Sequence, residues 1–204
     1  MGEFVSGDLR ARNRQVTRET IGAAALSLAL EKGPDGLGLV RVRDIAEAAG
    51  VAPRTYNNYF SSREEAICFF QGDRARRLGG ALRDRPGDEP LGEAIVAAVV
   101  GVFADPEPDR AGLAMIMSVP ALQGEALKAF AMAEEPLAAA IAERTGAGAG
   151  ELSPGVVAAA VAGAVRVAGR HWLAGADSVP FADVLREALG CAVLPLSSPG
   201  GRRP

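Results

Sequence analysis

The chain has 204 residues, 49% hydrophobic and 23% charged, with a formal net charge of −3; that suits one large or two small globular domains and excludes a disordered or fibrous chain. A single His and two isolated cysteines, Cys68 and Cys191, exclude a zinc framework of Cys and His and fit a reducing cytosol better than a disulfide scaffold, and no cofactor is expected. The apolar runs "AIVAAVVGVFA" and "GVVAAAVAGAV" fall short of the roughly 20 residues that span a bilayer, and Met1 to Ser6 is too short and too acidic for a signal peptide, so the chain reads as soluble and cytoplasmic with no membrane partner.

Strand signals are scarce, and alanine and leucine recur at helical spacing, which predicts an all-α protein of about nine helices. Thr17 can cap a first helix whose end Gly33 follows, with Ile21, Ala24, Ala25 and Leu28 on one face. After the loop "GPDGLG", a short helix fits from about Val42 to Ala49, Gly50 breaks it, and Pro53 opens another that reaches Phe60. Ser62, with Glu65 as its capping-box partner, starts a longer helix to about Leu82. Further helices fit Leu91 to Ala104, Ala111 to Val119, Ala121 to Arg144, Pro154 to Ala174 and Pro180 to Val193. "TGAGAG" has the glycine spacing of a phosphate loop, but no strand precedes it, so it reads as a linker. The tail 196–204 reads as disordered.

Charge is unevenly placed. From Leu9 to Arg63 nine cations face five anions, +4 on a chain that is negative overall. Such asymmetry suits an anionic partner, or simply a solvated face.

The region "VAPRTYNNYFSSREEAI" carries the most information. A short helix, "AGV" and a second short helix form the pattern of a helix-turn-helix. Neither helix could stand alone in water, so each must dock on the first helix, with Ile45, Val51 and Phe60 as anchors. The second helix then presents Arg54, Thr55, Tyr56, Asn57, Asn58 and Tyr59. Arg and Asn suit base edges, Thr and Tyr suit phosphates.

"VRVRDIAEAAGVAPRTYNNYFSSREEAI", with "TRETIGAAALSLALEKG" before it, resembles the DNA-binding signature of the TetR family of bacterial transcriptional regulators. The resemblance covers Thr17 to Ile67. It implies a three-helix DNA-binding domain over residues 1–62 and a larger helical ligand-binding and dimerisation domain over 63–195. By the same resemblance Arg43, Arg54, Thr55, Tyr56 and Asn58 read bases, while Thr17, Arg41, Tyr59 and Arg63 hold phosphates. Tyr56 is placed at the edge, with a core role as the alternative, and Phe60 is core. Arg10, Arg12 and Arg14 read either as a minor-groove arm or as an extension without a role. Three positions depart from the family pattern: Arg41 replaces a hydroxyl residue, Ala52 replaces a capping Ser, and Asn57 replaces a Tyr.

No nucleophile elbow, Walker loop or zinc-helix motif is present, so no enzyme is expected. Phe103, Met115, Met117, Phe130, His171 and Trp172 are the candidates for an effector pocket, with plain core as their alternative. Cys68 reads as buried core. The small-residue run from Val156 to Gly169, with "FADVLREALGCAVL", suits half of a four-helix dimer interface. The resemblance therefore implies a dimeric, ligand-responsive regulator of palindromic DNA, most simply a repressor released by a small apolar or amphipathic molecule. A helical adaptor or small-molecule-binding bundle with a vestigial helix-turn-helix is the alternative.

Overall fold

The computed structural model describes residues 2–148, 150–175 and 178–193, with side chains from residue 9 onward. Among these residues there are ten α-helices and no strand: α1 (Gly2–Gly36), α2 (Val42–Ala48), α3 (Pro53–Asn57), α4 (Arg63–Ile67), α5 (Phe69–Arg83), α6 (Leu91–Phe103), α7 (Arg110–Ser118), α8 (Pro120–Thr145), α9 (Leu152–Ala174) and α10 (Phe181–Val193). The all-α expectation holds. Ten helices stand where nine were predicted because Cys68, at φ −82° and ψ 4°, divides the predicted fourth helix into α4 and α5. The predicted disordered tail lies outside the described residues.

The chain forms two compact units. One comprises Met1–Gly72 with Ala114–Ala126, the other Asp73–Leu113 with the residues from Leu127 onward. In the first, α1 is a long helix interrupted at Gly33, whose φ of 70° is open to glycine and costly for other residues. The first helix thus begins well before Thr17. Thr17 is not its cap; its hydroxyl donates to the Asn13 carbonyl at 2.9 Å, one turn back. Helices α2 and α3 have seven and five residues, too few to persist in water without docking. They dock through Ile45, Ala46, Tyr56 and Phe60 onto Ile21, Ala25 and Ala29 of α1 in one core. Each fully buried large side chain there contributes about 1.5–3 kcal/mol. Gly50, at φ 66°, turns the chain between α2 and α3. Met115, Ile116 and Leu122 complete this core from far along the sequence.

In the second unit α9 packs on α10, and α10 on α6. Phe103 of α6 stacks on Phe130 of α8, with ring centres 6.0 Å apart. At Gly79 a Cβ would lie 2.7 Å from the Pro136 carbonyl oxygen, so only glycine lets α5 and α8 approach this closely. Arg83 grips Glu143 with a two-pronged hydrogen bond of 2.7 and 2.8 Å. Arg144 donates to the carbonyls of Arg85, Pro86 and Glu89, holding the α5–α6 loop. By length and composition α9, at 23 residues, could cross a membrane, a test the shorter apolar run in the sequence did not meet. Its buried side packs Val161, Val165 and Trp172, and its other side exposes Arg166 and Arg170, cations that hydrocarbon would penalise.

Candidate nucleic-acid interface and effector cavity

The first unit exposes one side of α2 and α3. Arg41 and Arg43 lie on α2 or at its start, Arg54, Asn57 and Asn58 on or beside α3, and all five are exposed. Arg43 keeps a 74% exposed side chain, with Asp44 no closer than 3.8 Å. Thr55 and Tyr59 are half-buried. Of the five base-reading candidates, four therefore sit at or near the surface of one helix-turn-helix. Tyr56 does not. It is 1% exposed, its ring packs against Phe60 at 5.8 Å, and its hydroxyl donates to the Ser62 carbonyl at 2.8 Å. Burial, with Glu65 and Glu64 adding repulsion, pushes its phenol from 10.0 up to about 12. Tyr56 is a core residue here, which corrects the base-reading expectation. The reason is helical period: positions 54, 55 and 58 share a side, and 56 and 60 turn inward.

The helix ends show how the departures are absorbed. Arg41 has no acceptor with which to cap α2; instead the Asp44 carboxylate accepts from the Arg41 backbone N–H at 3.4 Å, a weak closure. Ala52 gives α3 no side-chain cap, and Pro53 at the first position removes one N–H that would need one. Ser62 caps α4 by accepting from the Glu65 N–H at 3.0 Å. The Glu65 carboxylate reaches back to the Ser61 N–H and hydroxyl, at 2.8 and 2.7 Å, rather than to Ser62.

Among the phosphate candidates, Thr17 is half-buried with its hydroxyl hydrogen committed to Asn13. Arg63 is half-buried, donating from Nη1 to the Gly38 and Val40 carbonyls at 3.3 and 3.1 Å and from Nε to Glu64 at 2.6 Å. The expected arm is helical: Arg10, Arg12 and Arg14 are exposed on α1. The Arg14 guanidinium lies 5.6 Å from the centre of the Tyr59 ring. That neighbour was not legible in the sequence, because 45 residues separate the two.

The six effector candidates are divided between the two units. Met115 belongs to the core of the first unit, and Met117 is half-buried beside it in sequence. In the second unit Trp172 is buried, donating its indole N–H to the Val179 carbonyl at 2.8 Å, with the Arg110 guanidinium 4.8 Å from its ring centre. His171 is exposed. Of the six, Phe103 and Phe130 line an apolar cavity of the second unit, with Leu78, Leu137, Val161 and Val165 among its walls. Its volume is about 10 Å³, room for about one water. It is a narrow apolar seam beside the two stacked rings, one that sequence could mark only as a Phe-rich stretch.

The family model for bacterial regulatory proteins of the tetR family matches residues 21–65. The model for the MftR C-terminal domain matches residues 89–193. A candidate mycofactocin biosynthesis transcriptional regulator, MftR of Mycobacterium tuberculosis, is 30% identical over 185 residues, 89% of each chain. Among solved structures, the fatty acid degradation regulator FadR of Bacillus halodurans is 18% identical, with a TM-score of 0.56 over 87% of this chain and 94% of that one. FadR of Thermus thermophilus, a TetR-family repressor solved with lauroyl-CoA, is 20% identical, with a TM-score of 0.54 over 92% and 98%. At such identities these structures are likenesses of fold.

Proposed function

The chain belongs to the TetR family of bacterial regulatory proteins, and from that membership we propose that this transcriptional regulator is a cytoplasmic, dimeric repressor released from DNA by a small apolar or amphipathic effector. The observation that carries the DNA-binding reading is the exposed set Arg43, Arg54 and Asn58, backed by a core that fixes α3 through Tyr56 and Phe60. Arg and Asn at such positions bond base edges in pairs. Arg41 and Tyr59 flank them as phosphate ligands, with Thr55 at the border.

A two-fold dimer sets its recognition helices about 34–36 Å apart, or a multiple, so the operator is a palindrome. The second copy covers the outer side of α9, where Leu152, Val156 and Val167 are exposed. The effector enters between Phe103 and Phe130. A cavity of about 10 Å³ admits no such molecule while the rings stack. Binding therefore selects an opened conformer, and the DNA-binding affinity falls to the extent that the effector prefers it.

Selection of duplexes from a random pool tests the reading. Winners with two-fold symmetry support it. Winners without symmetry sink the dimeric operator, and the absence of any winner sinks DNA binding itself. The adaptor alternative draws support from the uncapped N-terminus of α3 at Ala52.

A further inference from the structure

We propose that Arg63 is a positioning residue of the DNA-binding unit, one that clamps the backbone leading into α2, and not a ligand of phosphate. The inference rests on the DNA-binding reading above. Between α1 and α2 the chain makes a tight 3-10 turn, Leu37–Leu39. Leu37 and Val40 are buried, and between them Leu39 stands 69% exposed. The turn is thus pinned at two points and lifted between them. One nitrogen of Arg63 donates to the carbonyls of both Gly38 and Val40, on either side of Leu39. Neither carbonyl has a partner in a helical ladder; that of Gly38 is exposed, while that of Val40 is partly buried, where the lack of a partner is costly.

The next residue, Arg41, is the extended N-cap of α2, at φ −105° and ψ 150°. Helix α2 has seven residues, no side-chain cap from Arg41, and only the long Asp44 closure. Local sequence therefore fixes its entry weakly. The Arg63 clamp supplies what is missing, and with it the aim of Arg41 and Arg43. The charge of Arg63 is also spoken for: Glu64 lies 2.6 Å from Nε, in a pair whose side chains are only 30% and 23% exposed. A cation that is neutralised, sunk and turned toward carbonyls is poorly placed to attract phosphate.

The test uses the full chain and a duplex recovered by selection. Affinity is measured by fluorescence anisotropy across a salt series for wild type, Arg63→Ala and Arg63→Gln, with Arg41→Ala as the phosphate-ligand reference. Amide hydrogen exchange over residues 42–46 is measured without DNA. Arg63→Ala is expected to weaken binding about tenfold at every salt concentration with the slope unchanged, and to speed exchange in α2. Gln has no charge but can still donate to one carbonyl, so Arg63→Gln recovers much of the loss. A phosphate ligand behaves otherwise: both variants lower the slope by about two units per dimer, and exchange stays as in wild type. That result, or unchanged affinity together with unchanged exchange, overturns the proposal. If wild type itself binds no duplex, the DNA-binding reading fails separately, and exchange alone decides the clamp: unchanged rates overturn it.

Discussion

The Tyr56 hydroxyl donates to the main-chain carbonyl of Ser62 across 2.8 Å, tying α3 to the cap of α4. Replacing Tyr56 by Phe leaves that carbonyl without its partner and is expected to cost about 1 kcal/mol, with base preference unchanged. The folded phenol is raised from 10.0 to about 12, so its contribution is full below pH 10 and is lost as pH rises toward 12. Denaturant midpoints of wild type and Tyr56→Phe across that window check both statements; a wild-type curve parallel to the mutant's from pH 9 to 12 refutes the second.

The proposed base readers and the buried tyrosine separate cleanly by experiment. Arg54→Ala and Asn58→Ala are each expected to cost about 1–3 kcal/mol of DNA affinity and to relax preference at one position per half-site. Repeating the duplex selection with each variant reads this directly. Unaltered preference in both would remove α3 as the reader.

Gly79 sits against the backbone of Pro136, where an added methyl would lie 2.7 Å from the carbonyl oxygen. Backbone cannot swing away as a side-chain tip can, so Gly79→Ala is expected to destabilise by about 1–3 kcal/mol despite the better helix propensity of alanine. Thermal unfolding should show a clear fall in midpoint. Gly163 is the contrasting case, since a Cβ there meets no atom within 4 Å.

That contrast makes Gly163→Leu a test of the dimer. The single chain has space for the larger side chain, so the fold is expected to persist by circular dichroism. A second copy packed on this side of α9 has no such space, and light scattering should report a shift toward monomer. A dimer that survives the change places its interface elsewhere.

The two thiols should differ sharply. Cys191 is exposed, while Cys68 is buried and its Sγ lies 3.5 Å from the Leu122 carbonyl as donor. Burial, with Glu125 and Glu64 adding repulsion, pushes the Cys68 thiol from 9.0 up to about 12. At pH 8 an alkylating reagent is expected to label Cys191 within minutes and Cys68 only after unfolding. Rapid labelling of both, read by peptide mass spectrometry, refutes the buried placement.

Helix content, the helix-turn-helix, and the anchors Ile45 and Phe60 were determined by the sequence alone, because apolar spacing, Gly50 and Pro53 are local signals that dictate local structure. The lining of the cavity beside Phe103 and Phe130 was not, since the six candidate residues share chemistry but are divided between two units. Tyr56 and Arg54 are neighbours on a helix of five residues, and no count of polar groups says which one turns inward; packing of α3 on α2, in a core shared with α1, decided it. Arg63 and Arg41 look alike in sequence as cations beside a recognition helix. Only the folded chain brings the carbonyls of Gly38 and Val40, 25 and 23 residues away, to the Arg63 guanidinium. Composition sets which interactions a side chain is able to make, and tertiary packing decides which partners arrive within hydrogen-bond distance to make them.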